Sequence, residues 1–216
     1  MRPLVAVPVG ENIKNKHLAM RLSQLLAIDS FSAELEQYPT SGSLAAKWLT
    51  DIANDGLIDG SVVVDLGAGN GILGLGAALL GAKHVVLLEC QAHAAAIARL
   101  NAIQIGDECN ATIEVIEARL SDWPRGMESD LVIMNPPWGF QTKGADRVFI
   151  EAALSSPAES IHLLHSQRAT HPAAMANDAG WNSELRFDSE FSLPANMAHH
   201  TKNSAKTMAS VWRFTR

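Results

Sequence analysis

The sequence predicts an α/β fold with N-terminal helices, a mainly parallel sheet and a C-terminal antiparallel hairpin. Two observations carry this prediction. From residue 61 onward, short apolar runs alternate with segments of helical periodicity, which is the pattern of parallel strands connected by helices. The last two apolar runs have no helical segment between them, and this indicates an antiparallel pair.

The N-terminal part is predicted to contain two helices. Residues 11–29 carry four leucines at the spacing of one helical face, namely Leu18, Leu22, Leu25 and Leu26. A polar, turn-like stretch over residues 36–43 follows. Ser43 is a residue type that caps helices, so a second helix is expected from about Ser43 to Asn54.

The remaining elements alternate as a parallel sheet requires. The predicted strands are 61–66, 84–89, 112–117, 130–134, 160–165, 183–189 and 207–214. The predicted helices between them are 71–81, 91–103, 145–155 and 170–179. This order is typical of the Rossmann-like fold of class I methyltransferases. We expect one domain over 1–216, with 1–56 as a helical lead-in and 57–216 as the core.

Composition and cysteine usage exclude several classes of protein. The 216 residues are 47% hydrophobic and 19% charged, which is ordinary for a globular chain. No apolar run is long enough to span a bilayer or to act as a signal sequence. Cys90 and Cys109 form no metal-binding motif, and the paired His199 and His200 lack further ligands at suitable spacing. We therefore expect a cytoplasmic protein without a metal site or a membrane segment.

The charge is unevenly distributed along the chain. The net charge is −6, which argues against unaided high-affinity binding of nucleic acid. Residues 1–139 carry a net −7, whereas residues 140–216 carry a net +1. A polyanion is therefore expected to meet the C-terminal third of the chain.

A glycine-rich segment at the end of the first predicted strand indicates a nucleotide cofactor. After Asp65, three glycines allow a sharp turn and let a ligand approach the backbone, namely Gly67, Gly69 and Gly71. Glu89 ends the second strand, where a carboxylate can accept hydrogen bonds from ribose hydroxyls. The same segment also matches the dinucleotide pattern GxGxxG, so this motif alone leaves a nicotinamide cofactor open.

The tetrapeptide Asn135-Pro136-Pro137-Trp138 directly follows the fourth predicted strand. The Asn135 side-chain oxygen and the Pro136 carbonyl can accept hydrogen bonds from the two N–H groups of an exocyclic amine and free its lone pair. The prolines fix the backbone and donate no competing hydrogen bond. Trp138 can stack on a base. This chemistry favours S-adenosylmethionine as the methyl donor over a nicotinamide, for which no hydride-transfer residue is evident.

With these motifs the chain resembles the methyltransferase-like protein 5 family of ribosomal-RNA adenine-N6 methyltransferases, including its archaeal members. The resemblance covers about residues 14–214. Its motifs are LEQYPTS at 35–41, DLGAGNGILGLG at 65–76, VIMNPPWG at 132–139, LLHS at 163–166, LRFD at 185–188 and LPAN at 193–196. The EQYPT segment is the most specific of these, because other amino-methyltransferases share the NPP motif followed by an aromatic residue.

The resemblance implies activity, cofactor and partners. It implies transfer of a methyl group from S-adenosylmethionine to N6 of adenine in small-subunit ribosomal RNA. It also implies that Gln37, Tyr38 and Thr40 fold over the cofactor, and that a small zinc-binding activator subunit stabilises the enzyme. The predicted strand 112–117 is an independent reason to expect a partner, because it would lie exposed at the sheet edge.

Three features depart from the family pattern: Trp138, Ala118, and the run Met197 to Lys202, which replaces an aromatic and basic run of the family. Trp138 stands where the family usually has phenylalanine, and Ala118 aligns with an acidic residue that contacts the cofactor adenine. The neighbouring Glu117 should face away from that site if the strand is regular.

Three alternatives stay open. The same chemistry would also serve a protein glutamine amide or a DNA adenine, and a catalytically silent nucleotide-binding module is the third alternative.

Overall fold

The computed structural model describes residues 15–28, 39–123, 126–139, 141–193 and 205–216. The helices are α1 Asn15–Leu22, α2 Gly42–Asn54, α3 Ile72–Leu79, α4 Ala92–Gly106, α5 Ala145–Leu154 and α6 His171–Asp178. The strands are β1 Val62–Leu66, β2 His84–Glu89, β3 Thr112–Glu117, β4 Leu131–Met134, β5 Ser160–Ser166, β6 Asn182–Leu193 and β7 Ala205–Thr215.

The strands form one sheet in the order β3-β2-β1-β4-β5-β7-β6. The first five positions of this order are parallel, and β7 runs antiparallel to both β5 and β6. The order reverses between β1 and β4, and ligands of open α/β sheets bind at such a switch point. The predicted mainly parallel sheet with a C-terminal antiparallel hairpin is confirmed.

The sheet separates two apolar cores, because side chains alternate between its faces along each strand. Val63 and Val85 pack on one face with helices α1 to α4. Val64 and Val86 pack on the other face with α5 and α6. The five residues of β1 are all buried, as expected for a parallel strand covered on both sides. These two layers fix the carboxyl ends of β1, β2 and β4 at one edge of the sheet.

The N-terminal helices differ in their ends from the prediction. Helix α1 ends at Leu22, earlier than predicted. Leu25 lies beyond the helix and is buried in the core, whereas Leu26 is 48% exposed. Helix α2 is capped by Ser41 rather than by Ser43, because the Ser41 hydroxyl accepts the Leu44 N–H at 3.3 Å. The apolar face of α2 then packs against α3 and covers the core.

Within the described residues, no helix is both long and apolar enough to cross a membrane.

Candidate active site

A cavity of about 580 Å³ opens at the carboxyl ends of the parallel strands. The turns after β1, β2, β3 and β4 all contribute to its wall. Among the residues predicted from sequence, the wall includes Thr40, Asp65, Gly67, Gly69, Glu89, Asn135 and Pro137. Gly71, Pro136 and Trp138 are not part of the wall. Gln37 and Tyr38 lie outside the described residues.

The glycine-rich turn requires glycine at three positions, and at one of them the missing side chain leaves space for a ligand. Gly67 and Gly69 have φ angles of 72° and 58°, a region that favours glycine. A Cβ at Gly69 would meet only a side-chain atom of Ile28, at 3.8 Å, so its space belongs to the cavity. Gly71 has another role: its φ is 86°, and a Cβ there would lie 2.9 Å from Leu87. Gly71 therefore allows α3 to pack on β2.

Glu89 is fixed at the end of β2 by backbone donors. Its Oε2 accepts the Gly69 N–H at 2.9 Å, and its Oε1 accepts the Gln91 N–H at 2.9 Å. The side chain is only 6% exposed, yet it lines the cavity. The Cys90 side chain also contacts this carboxylate, and the acceptor capacity that remains can serve a ligand hydroxyl.

Asp65 supports the glycine-rich turn from beneath. Its Oδ2 accepts the Gly74 N–H at 2.9 Å, which ties the end of β1 to α3. Burial raises the pKa of Asp65 to about 7, and the negative charge of Glu89 acts in the same direction. The hydrogen bond from Gly74 opposes this shift of the pKa. The cavity therefore holds two carboxyl groups whose environments differ.

Asn135 is held by contacts at both ends of its side-chain amide. Its Nδ2 donates to the Thr40 hydroxyl at 3.1 Å, and its Oδ1 accepts the Trp138 indole N–H at 3.3 Å. The contact with Thr40 crosses 95 residues of sequence and brings the segment before α2 onto the end of β4. Asn135 also lines the cavity, so its amide is positioned by protein contacts at the wall of the site.

Trp138 lies behind the cavity in this structure. It is 5% exposed and packs between Phe191 and His165, with ring centroids at 4.9 Å and 5.9 Å. The indole orients Asn135 through its N–H, a contact that a phenylalanine ring could not make. The sequence-based role of Trp138 as a stacking partner for a base stays a prediction.

The sequence analysis missed Asn101, a fully buried amide on α4. Its Oδ1 accepts the Leu26 N–H at 2.8 Å. Its Nδ2 donates to the carbonyls of Leu26 at 3.0 Å and of Asn70 at 2.9 Å. Asn101 thus joins the segment after α1, including the wall residue Ile28, to the glycine-rich turn. A lone asparagine in a helical segment carries no local signal for this role.

The end of β3 contributes no carboxylate to the described wall. Ala118, Arg119 and Leu120 line the cavity there. Glu117 instead lies 3.4 Å from Arg99 of α4, in agreement with the predicted orientation away from the site. Within the described residues, Asp65 and Glu89 are the only acidic side chains in the wall.

Comparison with known proteins identifies the family. Residues 45–161, more than half of the chain, match the methyltransferase small domain. The rRNA N(6)-adenosine-methyltransferase METTL5 of Danio rerio is 31% identical and aligns over 94% of this chain and 99% of its own. An uncharacterized protein of Methanocaldococcus jannaschii is also 31% identical, with 94% of each chain covered.

A solved structure agrees over nearly the whole chain. A Pyrococcus horikoshii protein proposed to be an RNA methyltransferase has a TM-score of 0.85 and 30% identity, covering 95% of this chain and 98% of its own. The predicted Rossmann-like class I methyltransferase fold is thereby confirmed, and so is S-adenosylmethionine as the cofactor of this class. On its motifs, its fold and these relatives, the chain belongs to the METTL5 family of methyltransferases.

Proposed function

We propose that this protein transfers the methyl group of S-adenosylmethionine to N6 of adenosine in ribosomal RNA. The observation that carries the proposal is Asn135, whose amide is held by Thr40 and Trp138 at the wall of the cofactor cavity. The METTL5 relative of Danio rerio bears the name of an rRNA N(6)-adenosine-methyltransferase and aligns over nearly its full length.

The cavity fits S-adenosylmethionine in size and chemistry. A volume of about 580 Å³ lies within the range of small-molecule sites. The open space at Gly69 lets the cofactor lie against the backbone. Glu89 lies on the cavity wall, where its carboxylate can accept from ribose hydroxyls, and Thr40 and Asp65 lie on the same wall. When bound, the cofactor supplies an electrophilic methyl group and its own leaving group.

The residues of the chain orient the amine rather than act as a base. Asn135 Oδ1 accepts one N–H of the adenine amine, and the Pro136 carbonyl accepts the other. With both hydrogens engaged, the nitrogen lone pair turns from the ring toward the methyl group. The protein therefore contributes to the rate of methyl transfer mainly by positioning the amine.

Analysis of the methylated product tests which substrate the protein methylates. The purified chain, with and without its activator, is incubated with S-adenosylmethionine carrying a labelled methyl group, and ribosomal RNA, DNA and protein are offered as separate acceptors. Nucleoside and amino-acid analysis should place the label in N6-methyladenosine from the ribosomal RNA. Label found instead in DNA adenine or in a glutamine amide would contradict the proposed substrate.

We further propose a small zinc-binding activator subunit that adds a strand to β3. Among the described strands, β3 pairs with β2 alone, and its Ile113, Val115 and Ile116 are half-buried. A row of unpaired backbone groups beside apolar side chains suits strand addition by a partner. In hydrogen exchange with the activator present, amides of β3 should become protected, while those of the central β1 serve as the reference. Unchanged exchange in β3 would contradict this site of assembly.

The same proposal includes a cytoplasmic location for the protein. It also includes contact between the RNA and the C-terminal third of the chain. The net charge of +1 over residues 140–216, against −7 over residues 1–139, supports the predicted side of approach.

A further inference from the structure

Three side chains that commonly bind metal ions converge behind Trp138. Asp146 lies in the first turn of α5, His165 lies on β5, and His171 is the first residue of α6. One carboxylate oxygen and one ring nitrogen from each histidine lie within 4.8 Å of one another. The separations in sequence, 19 and 6 residues, arise because α5 and α6 follow β4 and β5 to the same edge of the sheet.

The two imidazoles share a single carboxylate oxygen. His165 Nε2 lies 3.0 Å from Asp146 Oδ2, and His171 Nε2 is also in close contact with that oxygen. The two rings are perpendicular, with centroids 5.2 Å apart. The side chains of Asp146 and His165 are 4% and 2% exposed, whereas that of His171 is 33% exposed. The group is therefore enclosed except on the side of His171.

In the part of the chain that the structure describes, the charge of Asp146 lacks a permanent cationic partner. Among the described residues its ion-pair partners are the two histidines, and neither a lysine nor an arginine pairs with it. The N-terminus of α5 offers only the partial positive charge of a helix dipole. A bound cation would compensate the charge of this buried carboxylate, toward which two imidazole nitrogens point.

We propose that Asp146, His165 and His171 bind one divalent transition-metal ion, with zinc as the representative of the class. Two imidazole nitrogens and one carboxylate oxygen are a common zinc ligand set, and a water would complete the tetrahedron on the exposed side of His171. Nitrogen and oxygen donors of this kind favour zinc, copper or nickel over magnesium and calcium. Because the ring of His165 stacks on Trp138, a bound ion would also brace the residue that orients Asn135.

Metal titration of the full chain, without the activator, tests the site. After dialysis against a chelator, Zn²⁺ is added in a calorimeter, and Co²⁺ is added in parallel to record its visible absorption. We expect one saturable equivalent per chain and a Co²⁺ spectrum of nitrogen and oxygen ligands. The variant His171→Ala should weaken binding by at least about 100-fold, since loss of a direct ligand exceeds the effect of an outer-shell change.

Matched variants separate this site from others. His93→Ala removes an exposed histidine of α4, and a double variant His199→Ala, His200→Ala removes the paired histidines; both should bind Zn²⁺ like the unaltered chain. Absence of saturable binding, retention of binding in His171→Ala, or its loss in the double variant would overturn the proposal. A thiolate absorption band with Co²⁺ would do the same by assigning the ion to Cys90 or Cys109. The Co²⁺ spectrum keeps the test decisive if His171→Ala fails to fold.

Discussion

The contact between Thr40 and Asn135 fixes which end of the amide faces the reacting amine. The Thr40 hydroxyl accepts from Asn135 Nδ2, and this places Oδ1 on the side of the Trp138 indole N–H, from which it accepts. An amide rotated by half a turn would present a donor to the adenine amine and repel it. The orientation of one side chain thus determines whether the site can activate its substrate.

Replacement of Thr40 by valine removes the hydroxyl and keeps the shape. We expect Thr40→Val to lower kcat about tenfold, the equivalent of one hydrogen bond of about 1.4 kcal/mol. Thr40→Ser retains the hydroxyl and is the matched control, measured under the same steady-state conditions. Equal kcat values for the two variants would show that this contact does not orient Asn135.

Asp65 makes the stability of the cofactor-free protein depend on pH. Its pKa is 3.8 in the unfolded chain and about 7 in the fold. Between these values the folded state retains a proton that the unfolded state has released, so the free energy of unfolding falls as pH rises. The contribution of Asp65 to the slope should approach about −1.4 kcal/mol per pH unit and flatten above about pH 7, while buried His162, with its lowered pKa, contributes a slope of opposite sign.

The variant Asp65→Asn tests this linkage because its side chain does not titrate. In urea unfolding, the free energy of unfolding of the unaltered protein minus that of the variant should decrease as pH rises from about 4 to about 7. Parallel curves would mean that Asp65 is ionised at its usual pKa in the fold.

At the scale of elements, Asn101 connects parts of the chain that do not touch through regular secondary structure. Helix α4 supplies the amide, the segment after α1 supplies Leu26, and the glycine-rich turn supplies Asn70. The wall of the cavity formed by Ala27 and Ile28 therefore depends on a side chain of α4.

Loss of the Asn101 amide should loosen this wall. Asn101→Ala removes the side-chain partner of the Leu26 N–H and of the Asn70 carbonyl, whereas the Leu26 carbonyl still accepts from Asn70 Nδ2. We therefore expect a loss of about 1–3 kcal/mol in stability and weaker binding of S-adenosylmethionine. Chemical denaturation and calorimetric titration measure the two effects. Asn110→Ala, on the exposed turn after α4, is the surface control. Undiminished cofactor affinity in Asn101→Ala would refute this role.

The elements were predictable where the signal was local. Apolar runs predicted the five parallel strands to within a residue or two, and the glycine-rich turn was placed correctly between β1 and α3. The end of α1 and the N-cap of α2 were not predicted correctly. Leu25 is buried by packing beyond the helix, and Ser41 caps α2 because of its backbone geometry. The buried position of Trp138 depends on Phe191, 53 residues away in sequence, and no local pattern indicates such a contact.

At the scale of the whole molecule, the parallel sheet gathers residues from distant segments at one edge. The ends of β1, β2 and β4 bring Asp65, Glu89 and Asn135 to one cavity, which the rule for ligand sites in open sheets predicts. The grouping of Asp146 with two histidines arises at the same edge but was not expected from sequence, because its spacing matches no metal motif. The sheet topology thus brings together the residues of the predicted cofactor site and those of the proposed metal site, which the sequence did not predict.

The most direct test of the proposed chemistry is single-turnover methyl transfer to ribosomal RNA by Asn135→Ala. If Asn135 accepts a hydrogen bond from the adenine amine, the rate of N6-methyladenosine formation should fall by at least about 100-fold, as for loss of an oriented polar group in an active site. The affinity for S-adenosylmethionine, measured in parallel, should change only a few-fold, and the variant should unfold at a similar temperature. Retention of most of the transfer rate by a folded, cofactor-binding Asn135→Ala would contradict the account.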